Sequence, residues 1–120
     1  MTNKPEIINK IGTVPTSNYT PRDERNIIGV VEHWIVGSAK SALRTFANPN
    51  RRASAHFVID DEGNIYQLLR LSDIAWHAGD YSYNTETIGI EHEGGYRMGN
   101  GELAEPTHAC EDASARLQAW

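Results

Sequence analysis

Two hydrophobic periods alternate along this chain, and each change of period marks a change of element. Ile27 to Val36 is an apolar run interrupted by Gly29, Glu32 and His33. Its length and its Val and Ile content predict a central strand buried on both faces. Ala39, Ala42, Leu43 and Phe46 then fall on one helical face, with Ser38 placed to cap the start and Asn48-Pro49 to end it. Ser54 to Asp60 alternates, with Ala55, Phe57 and Ile59 on one face and His56 and Val58 on the other. Asp60-Asp61-Glu62-Gly63 reads as a turn and Asn64 to Leu69 as the returning strand of a hairpin. Ile74 to Tyr83 reads as a loop, Thr87 to Glu93 as a further strand, and Gly94 to Glu105 as a glycine-rich connection.

Pro106 opens a last helix, where its missing N–H costs nothing. Glu111 and Asp112 suit the positive end of its dipole, and Ala109, Ala113, Leu117 and Trp120 form its apolar stripe. No helix stop follows, so the chain is expected to end inside the helix as a truncated domain. Before Ile27 the sequence is polar and carries Pro5, Pro15 and Pro21. Residues 1–26 are therefore expected to form an extended arm around the domain built by 27–120.

A length of 120 residues, 39% hydrophobic and 22% charged, suits one folded domain with a single core and rules against a disordered chain. The net charge of -5 speaks against a nucleic-acid partner, which selects a basic face. Arg51-Arg52 reads as a solvated loop. The single cysteine, Cys110, excludes an internal disulfide and leaves the redox compartment unread. Met1 to Lys10 has no apolar run after its lysines, so no secretory signal is expected, and no segment reaches the length of a membrane span. Cytoplasmic synthesis is expected, with any delivery to an outside substrate coming from elsewhere.

Chemistry concentrates between His33 and Glu91. His33 ends an apolar strand, where an imidazole is either an interior group satisfied by backbone or a rigidly held metal ligand. Glu91 shares its strand face with Gly89, opposite Ile88 and Ile90. If the isoleucines enter the core, Glu91 faces a cleft, where a carboxylate can move a proton between water and a leaving nitrogen. Gly89 would then leave room for a substrate backbone. Glu93 is the better candidate for a solvated strand glutamate. His92 faces the apolar side as a structural residue, and His56 reads as a satisfied interior histidine. Trp76-His77 forms an amphipathic ledge suited to a sugar or peptide face, or to plain packing. His108 and Cys110 sit two apart on a helix and point to opposite sides, so they cannot share one ion. Cys110 reads as a small buried hydrophobe.

Taken in order, the motifs are Asn18-Tyr19 with Arg22, Val30-Val31-Glu32-His33, Ser54-Ala55-His56-Phe57, Gly63-Asn64-Ile65-Tyr66-Gln67, Trp76-His77-Ala78-Gly79, Asn84 and Ile88-Gly89-Ile90-Glu91. Together they resemble the zinc-dependent N-acetylmuramoyl-L-alanine amidases of phage endolysins and wall-recycling bacterial enzymes, over nearly the whole chain. The resemblance implies an α/β fold with a mixed central sheet flanked by helices, amidase- or peptidoglycan-recognition-like, with its C-terminal part missing. It implies a zinc ion held by three protein ligands and carrying a water, with His33 as first ligand and Glu91 as catalytic glutamate. Trp76, His77, Ala78 and Asn84 would line the substrate groove. Ala55 stands where some relatives carry a catalytic tyrosine, which implies the subgroup relying on the glutamate alone. The implied substrate is bacterial peptidoglycan, cut at the amide between N-acetylmuramic acid and L-alanine, by a monomer.

In that family a second histidine, a final cysteine or aspartate and a basic residue follow the last helix, so an incomplete active centre is expected here. His108 lies too early to supply the missing histidine. Two other readings stand beside the amidase. One is a non-catalytic peptidoglycan-binding module or inactive amidase fragment. The other is an unrelated small α/β domain in which His33 and Glu91 are structural.

Overall fold

A computed structural model describes residues 10–22, 27–95, 99–102 and 104–119, with the side chains of Lys10 and Ile11 excepted. A five-stranded mixed sheet runs in the order β1-β5-β4-β7-β3. Its strands are β1 (Lys10–Ile11), β3 (Gly29–Trp34), β4 (Phe57–Ile59), β5 (Ile65–Gln67) and β7 (Thr87–His92). The β4–β5 pair is antiparallel, and the β1–β5, β4–β7 and β7–β3 pairs are parallel. A second, two-stranded antiparallel sheet joins β2 (Tyr19–Pro21) to β6 (Asp73–Ala75). Helices α1 (Ala39–Ala47), α2 (Tyr81–Glu86) and α3 (His108–Ala119) complete the fold. The expected mixed α/β architecture is present.

Each face of the main sheet buries its own core. Phe57, Ile59, Ile65, Ile88 and Ile90 pack against Cys110, Ala113 and Leu117 of α3. Val58, Ala55, Leu68, Leu69 and Ala75 pack with Ala39, Ala42 and Phe46 of α1. Period-two alternation in β4 sends Phe57 and Ile59 one way and Val58 the other. Ala55 was expected beside Phe57, but it precedes the regular strand and joins the α1 core instead. The hairpin turn is as expected: Gly63 has φ 85°, where glycine avoids the penalty of a left-handed backbone. Asp60 Oδ1 accepts from the Glu62 and Asn64 N–H groups at 3.1 and 2.8 Å.

Helix α1 matches its sequence signature. Ser38 Oγ accepts from Ser41 N–H at 3.1 Å, a cap whose removal typically costs about 1 kcal/mol. Helix α3 begins later than Pro106, because Thr107 takes the cap position and accepts from Cys110 N–H at 3.1 Å. Its buried stripe is Cys110, Ala113, Ser114 and Leu117, so Ala109 lies outside the core. Trp120 and residues 1–9 and 23–26 of the expected arm lie outside the described residues.

Two further expectations are corrected. The strand carrying His33 is not central: β7 occupies that place, and β3 has a partner strand on one side only among the described residues. Val30, Glu32 and Trp34 are accordingly exposed, while Gly29, Val31 and His33 are half-buried. An apolar run cannot distinguish a central strand from an edge strand with an uncovered apolar face. The segment expected as a loop holds β6 and α2. Asp80 Oδ1 caps α2 by accepting from Tyr83 N–H at 3.2 Å. Within the segment expected as an arm, residues 10–11 and 19–21 add strands to the two sheets.

Candidate functional site

The C-terminal ends of β3 and β7 bring the candidate residues together. His33 and Glu91 are in register on these parallel neighbours, so their side chains leave the same sheet face. Thr87, Gly89 and Glu91 share that face of β7, since Ile88 and Ile90 enter the α3 core. The loop after β6 then lays His77 across Gly89. A methyl group on Gly89 would sit 2.5 Å from His77 Cγ, so the space above this glycine belongs to the imidazole. The expected opening for a substrate backbone at Gly89 is therefore filled from within.

His33 and His77 meet directly. Their Nε2 and Nδ1 atoms are 2.9 Å apart and their rings stand edge-on at 71°. The other nitrogen of His77, Nε2, lies 3.0 Å from Thr87 Oγ1. Burial, then the neighbouring His33, His56 and Arg22, push the His77 pKa down to about 4. Burial and then His92 also lower His33. His77 is neutral at pH 7, which suits a contact in which one ring nitrogen donates and the other accepts.

Glu91 behaves differently. Burial raises its carboxyl to about 7, and no hydrogen-bonding or ion-pairing partner among the described residues offsets the desolvation. At neutral pH the group is divided between acid and base, the condition that favours proton transfer in both directions. Glu93 was expected to be solvated. Its carboxylate instead accepts from Ala39 N–H and, at 2.9 Å, from Asp61 N–H, tying α1 to the hairpin turn.

The loop bearing Trp76, His77 and Ala78 is fastened through its backbone. Asn84, 6% exposed, accepts from His77 N–H at 3.3 Å and from Ala78 N–H at 3.0 Å with one oxygen, Oδ1. Trp76 N–H donates to Ser54 Oγ at 3.0 Å, and the Trp76 ring remains half-buried. Asn84 thus holds the loop that carries the other three residues.

The remaining histidines are interior or surface groups. His56 is wholly buried; Nε2 donates to Asp73 O at 2.7 Å and Nδ1 accepts from Gly89 N–H at 3.1 Å. His92 faces α3, with Nε2 2.7 Å from Ser114 Oγ and Nδ1 3.1 Å from His33 O. His108 is fully exposed and Cys110 fully buried, so the two share no ligand. Burial first, then Asp61 and Asp60, raises the Cys110 thiol to about 11, which makes it inert as a nucleophile at neutral pH.

Two motif positions at the N-terminal side are scaffolding. Asn18 Nδ2 donates to Phe46 O and Asn48 O at 3.0 and 2.9 Å, closing the end of α1. Arg22 donates to the carbonyls of Leu71, Asp73, Thr85 and Thr87, joining β2 to β6 and to the start of β7.

Comparison with known proteins gives the family. The family of N-acetylmuramoyl-L-alanine amidases matches residues 23–120. The chain belongs to that family. It is 38% identical over 80 residues to N-acetylmuramoyl-L-alanine amidase A of Achromobacter lyticus, a match covering 66% of this chain and 44% of that protein. The chain therefore spans less than half of this curated relative. A crystal structure of an AmpD selenomethionine derivative superposes with TM-score 0.64 at 26% identity, covering 92% of this chain and 72% of that one. The Drosophila peptidoglycan recognition protein PGRP-SA shares the fold, with TM-score 0.66 at 20% identity and coverage of 92% and 70%.

A resident zinc in this amidase-family fold needs three protein ligands and an open position. Among the described residues, no group of three or more His, Cys, Asp or Glu side chains could hold a metal ion. His33 and His77 are engaged with each other at hydrogen-bond distance. The described residues by themselves do not fit a resident zinc. Also among the described residues, no helix is long and apolar enough to cross a membrane.

One residue of this site escaped sequence reasoning. Thr87 read as the opening of a strand, yet its hydroxyl touches His77. The available signal was period two, which puts Thr87, Gly89 and Glu91 on one face.

Proposed function

We propose that this domain is the groove-forming part of a peptidoglycan amidase, acting on the amide between N-acetylmuramic acid and L-alanine. The observation that carries this reading is the register of His33 and Glu91 on one sheet face, with His77 laid over it; burial pushes the Glu91 carboxyl up to about 7. In its ionised form Glu91 accepts a proton from the water that attacks the amide carbonyl. In its acid form it returns that proton to the departing nitrogen of L-alanine, so the cycle closes without net proton transfer. Trp76, His77 and Ala78 face the muropeptide and Asn84 fixes their loop. Membership of the amidase family supports the substrate class and the use of zinc. His33 is the candidate first ligand, and the further ligands such a centre needs are additional to the described residues.

A second reading is favoured by the lack of a three-ligand set among the described residues: these residues bind peptidoglycan without cutting it. Purified bacterial sacculi separate the two. The protein is incubated with sacculi with and without added zinc, and both wall retention and new N-terminal L-alanine are measured. Zinc-dependent release that falls about a hundredfold or more in Glu91→Gln supports hydrolysis. Retention without release, unchanged in Glu91→Gln and His33→Ala, supports the binding module. Neither retention nor release overturns both.

A further inference from the structure

We infer that Thr87 is a positioning residue, whose hydroxyl sets which ring nitrogens of His77 and His33 carry protons and leaves the His33 lone pair on Nδ1. Its value to catalysis rests on the reading of this face as the wall-binding site, but its chemistry does not.

The argument follows single hydrogens. A threonine hydroxyl has one proton and two lone pairs. That of Thr87 donates to Tyr83 O at 2.6 Å, one turn back in α2. Only lone pairs then remain to face His77 Nε2, 3.0 Å away, so His77 Nε2 carries the proton and donates it. A neutral imidazole protonated at Nε2 has its lone pair at Nδ1. His77 Nδ1 lies 2.9 Å from His33 Nε2, so His33 Nε2 must be the donor of that bond. His33 in turn keeps its own lone pair at Nδ1. The relay Tyr83 O, Thr87, His77, His33 has one self-consistent direction while both rings are neutral. Any electrophile that the site binds through His33 meets Nδ1.

The surroundings keep the relay in place. Gly89 leaves the space the His77 ring fills, because a Cβ there would lie 2.5 Å from His77 Cγ. Asn84 Oδ1 holds the His77 and Ala78 N–H groups, fixing the backbone from which the ring projects. Among the described residues, Thr87 is thus the group in this cradle whose fixed hydroxyl direction distinguishes between the two His77 nitrogens.

Removing the hydroxyl reverses the relay. In Thr87→Val, a proton on His77 Nε2 would face a methyl group and stay unsatisfied. Moving it to Nδ1 lets His77 donate to His33 Nε2, which places the His33 proton on Nδ1. The unsatisfied donor disfavours the original form enough to shift the tautomer ratio about tenfold or more.

Two-bond proton–nitrogen correlation spectra of the imidazoles at pH 7 test this directly on the chain. Wild type and Thr87→Ser are expected to show protonated Nε2 and lone-pair Nδ1 in both His77 and His33. Thr87→Val is expected to move both rings toward protonated Nδ1, and Thr87→Cys, a weak sulfur acceptor, to fall between. A Thr87 that merely caps α2 would lower stability in Thr87→Val and leave the tautomers unchanged; that result overturns the proposal. A wild-type His77 protonated at Nδ1 overturns it as well. If Thr87→Val does not fold, wild type, Thr87→Ser and Thr87→Cys still decide, since equal tautomer ratios in all three count against it. No wall fragment enters this readout, so a failure of the amidase reading leaves the tautomer result standing, and the converse also holds.

Discussion

His56 and His77 both lie against Gly89 of β7, and burial pushes both imidazoles down to about 4. A titration alone would rank them as equals. Their partners separate them. Both ring nitrogens of His56 bond to main chain, Asp73 O and Gly89 N–H, and the ring is wholly enclosed. Both ring nitrogens of His77 meet side chains, His33 and Thr87, in a half-buried position. Main-chain partners cannot move without unfolding the strand that carries them, whereas side-chain partners can be exchanged for a ligand. A shifted pKa therefore marks burial first, and function only where the partners are replaceable and solvent can reach the group.

The largest test of this contrast is deletion of each ring. His56→Ala leaves a buried carbonyl and a buried N–H unpaired and opens a cavity, for a loss of about 3–5 kcal/mol. His77→Ala removes a half-buried ring; half-buried His33 can take water in its place and Thr87 keeps its bond to Tyr83 O, for a loss of about 1–2 kcal/mol. Urea unfolding at pH 7 measures both. Equal losses would erase the distinction.

The second test is acid. His56 in the folded state binds its proton more weakly than in the unfolded chain, where its pKa is near 6.5. Its contribution is complete above pH 6.5 and is lost as pH falls from 6.5 through about 4. That window corresponds to about 3 kcal/mol for a fully buried group. His77 has the same sign and window but is partly solvated, so it contributes less. Unfolding free energies of His77→Ala at pH 7 and 4.5 should retain most of the wild-type acid sensitivity. Loss of that sensitivity in His77→Ala would assign it to the wrong ring.

The sequence made His56 and Cys110 legible as interior groups because alternation and helical phase are local properties. It also exposed the His33 and Glu91 pair, since strands ending in such residues stand out against apolar runs. It misplaced β3, because an edge and a central strand differ only in neighbours that arrive from distant segments. It misread Gly89, where the His77 ring, twelve positions upstream, takes the space expected for substrate. Thr87 was half hidden for the same reason: period two puts it on the face of Gly89 and Glu91, but its contact with His77 depends on a loop folding back. The carboxylate of Glu93 was likewise misjudged, its partners being the Ala39 and Asp61 amides from two other elements.

Glu91 extends the comparison to the opposite sign. Burial raises its folded pKa from 4.5 to about 7, so the folded state holds the proton more tightly than the unfolded state. Stability is fully present below pH 4.5 and falls as pH rises through about 7. Glu91→Gln removes the ionisation and should stabilise the protein at pH 8 by about 1–2 kcal/mol, after allowance for partial solvation. At pH 4 wild type and variant should melt together. A Gln variant no more stable at pH 8 would mean that the carboxylate is already well solvated, and Glu91 would lose its claim to a tuned proton-transfer role.

His33→Ala gives the smallest expected stability effect and the sharpest contrast with His56. Among the described residues, His33 sits half-buried on a strand with one partner strand, and its ring bonds to His77 alone. Its loss should cost no more than about 1 kcal/mol, because His77 Nδ1 can take water in its place. Wall release, by contrast, should fall sharply if His33 and Glu91 form one site. The two readouts must move independently for the site reading to hold. If His33→Ala unfolds as readily as His56→Ala, then His33 is a second strut, and the acid–base character of this face rests on Glu91 without its neighbour.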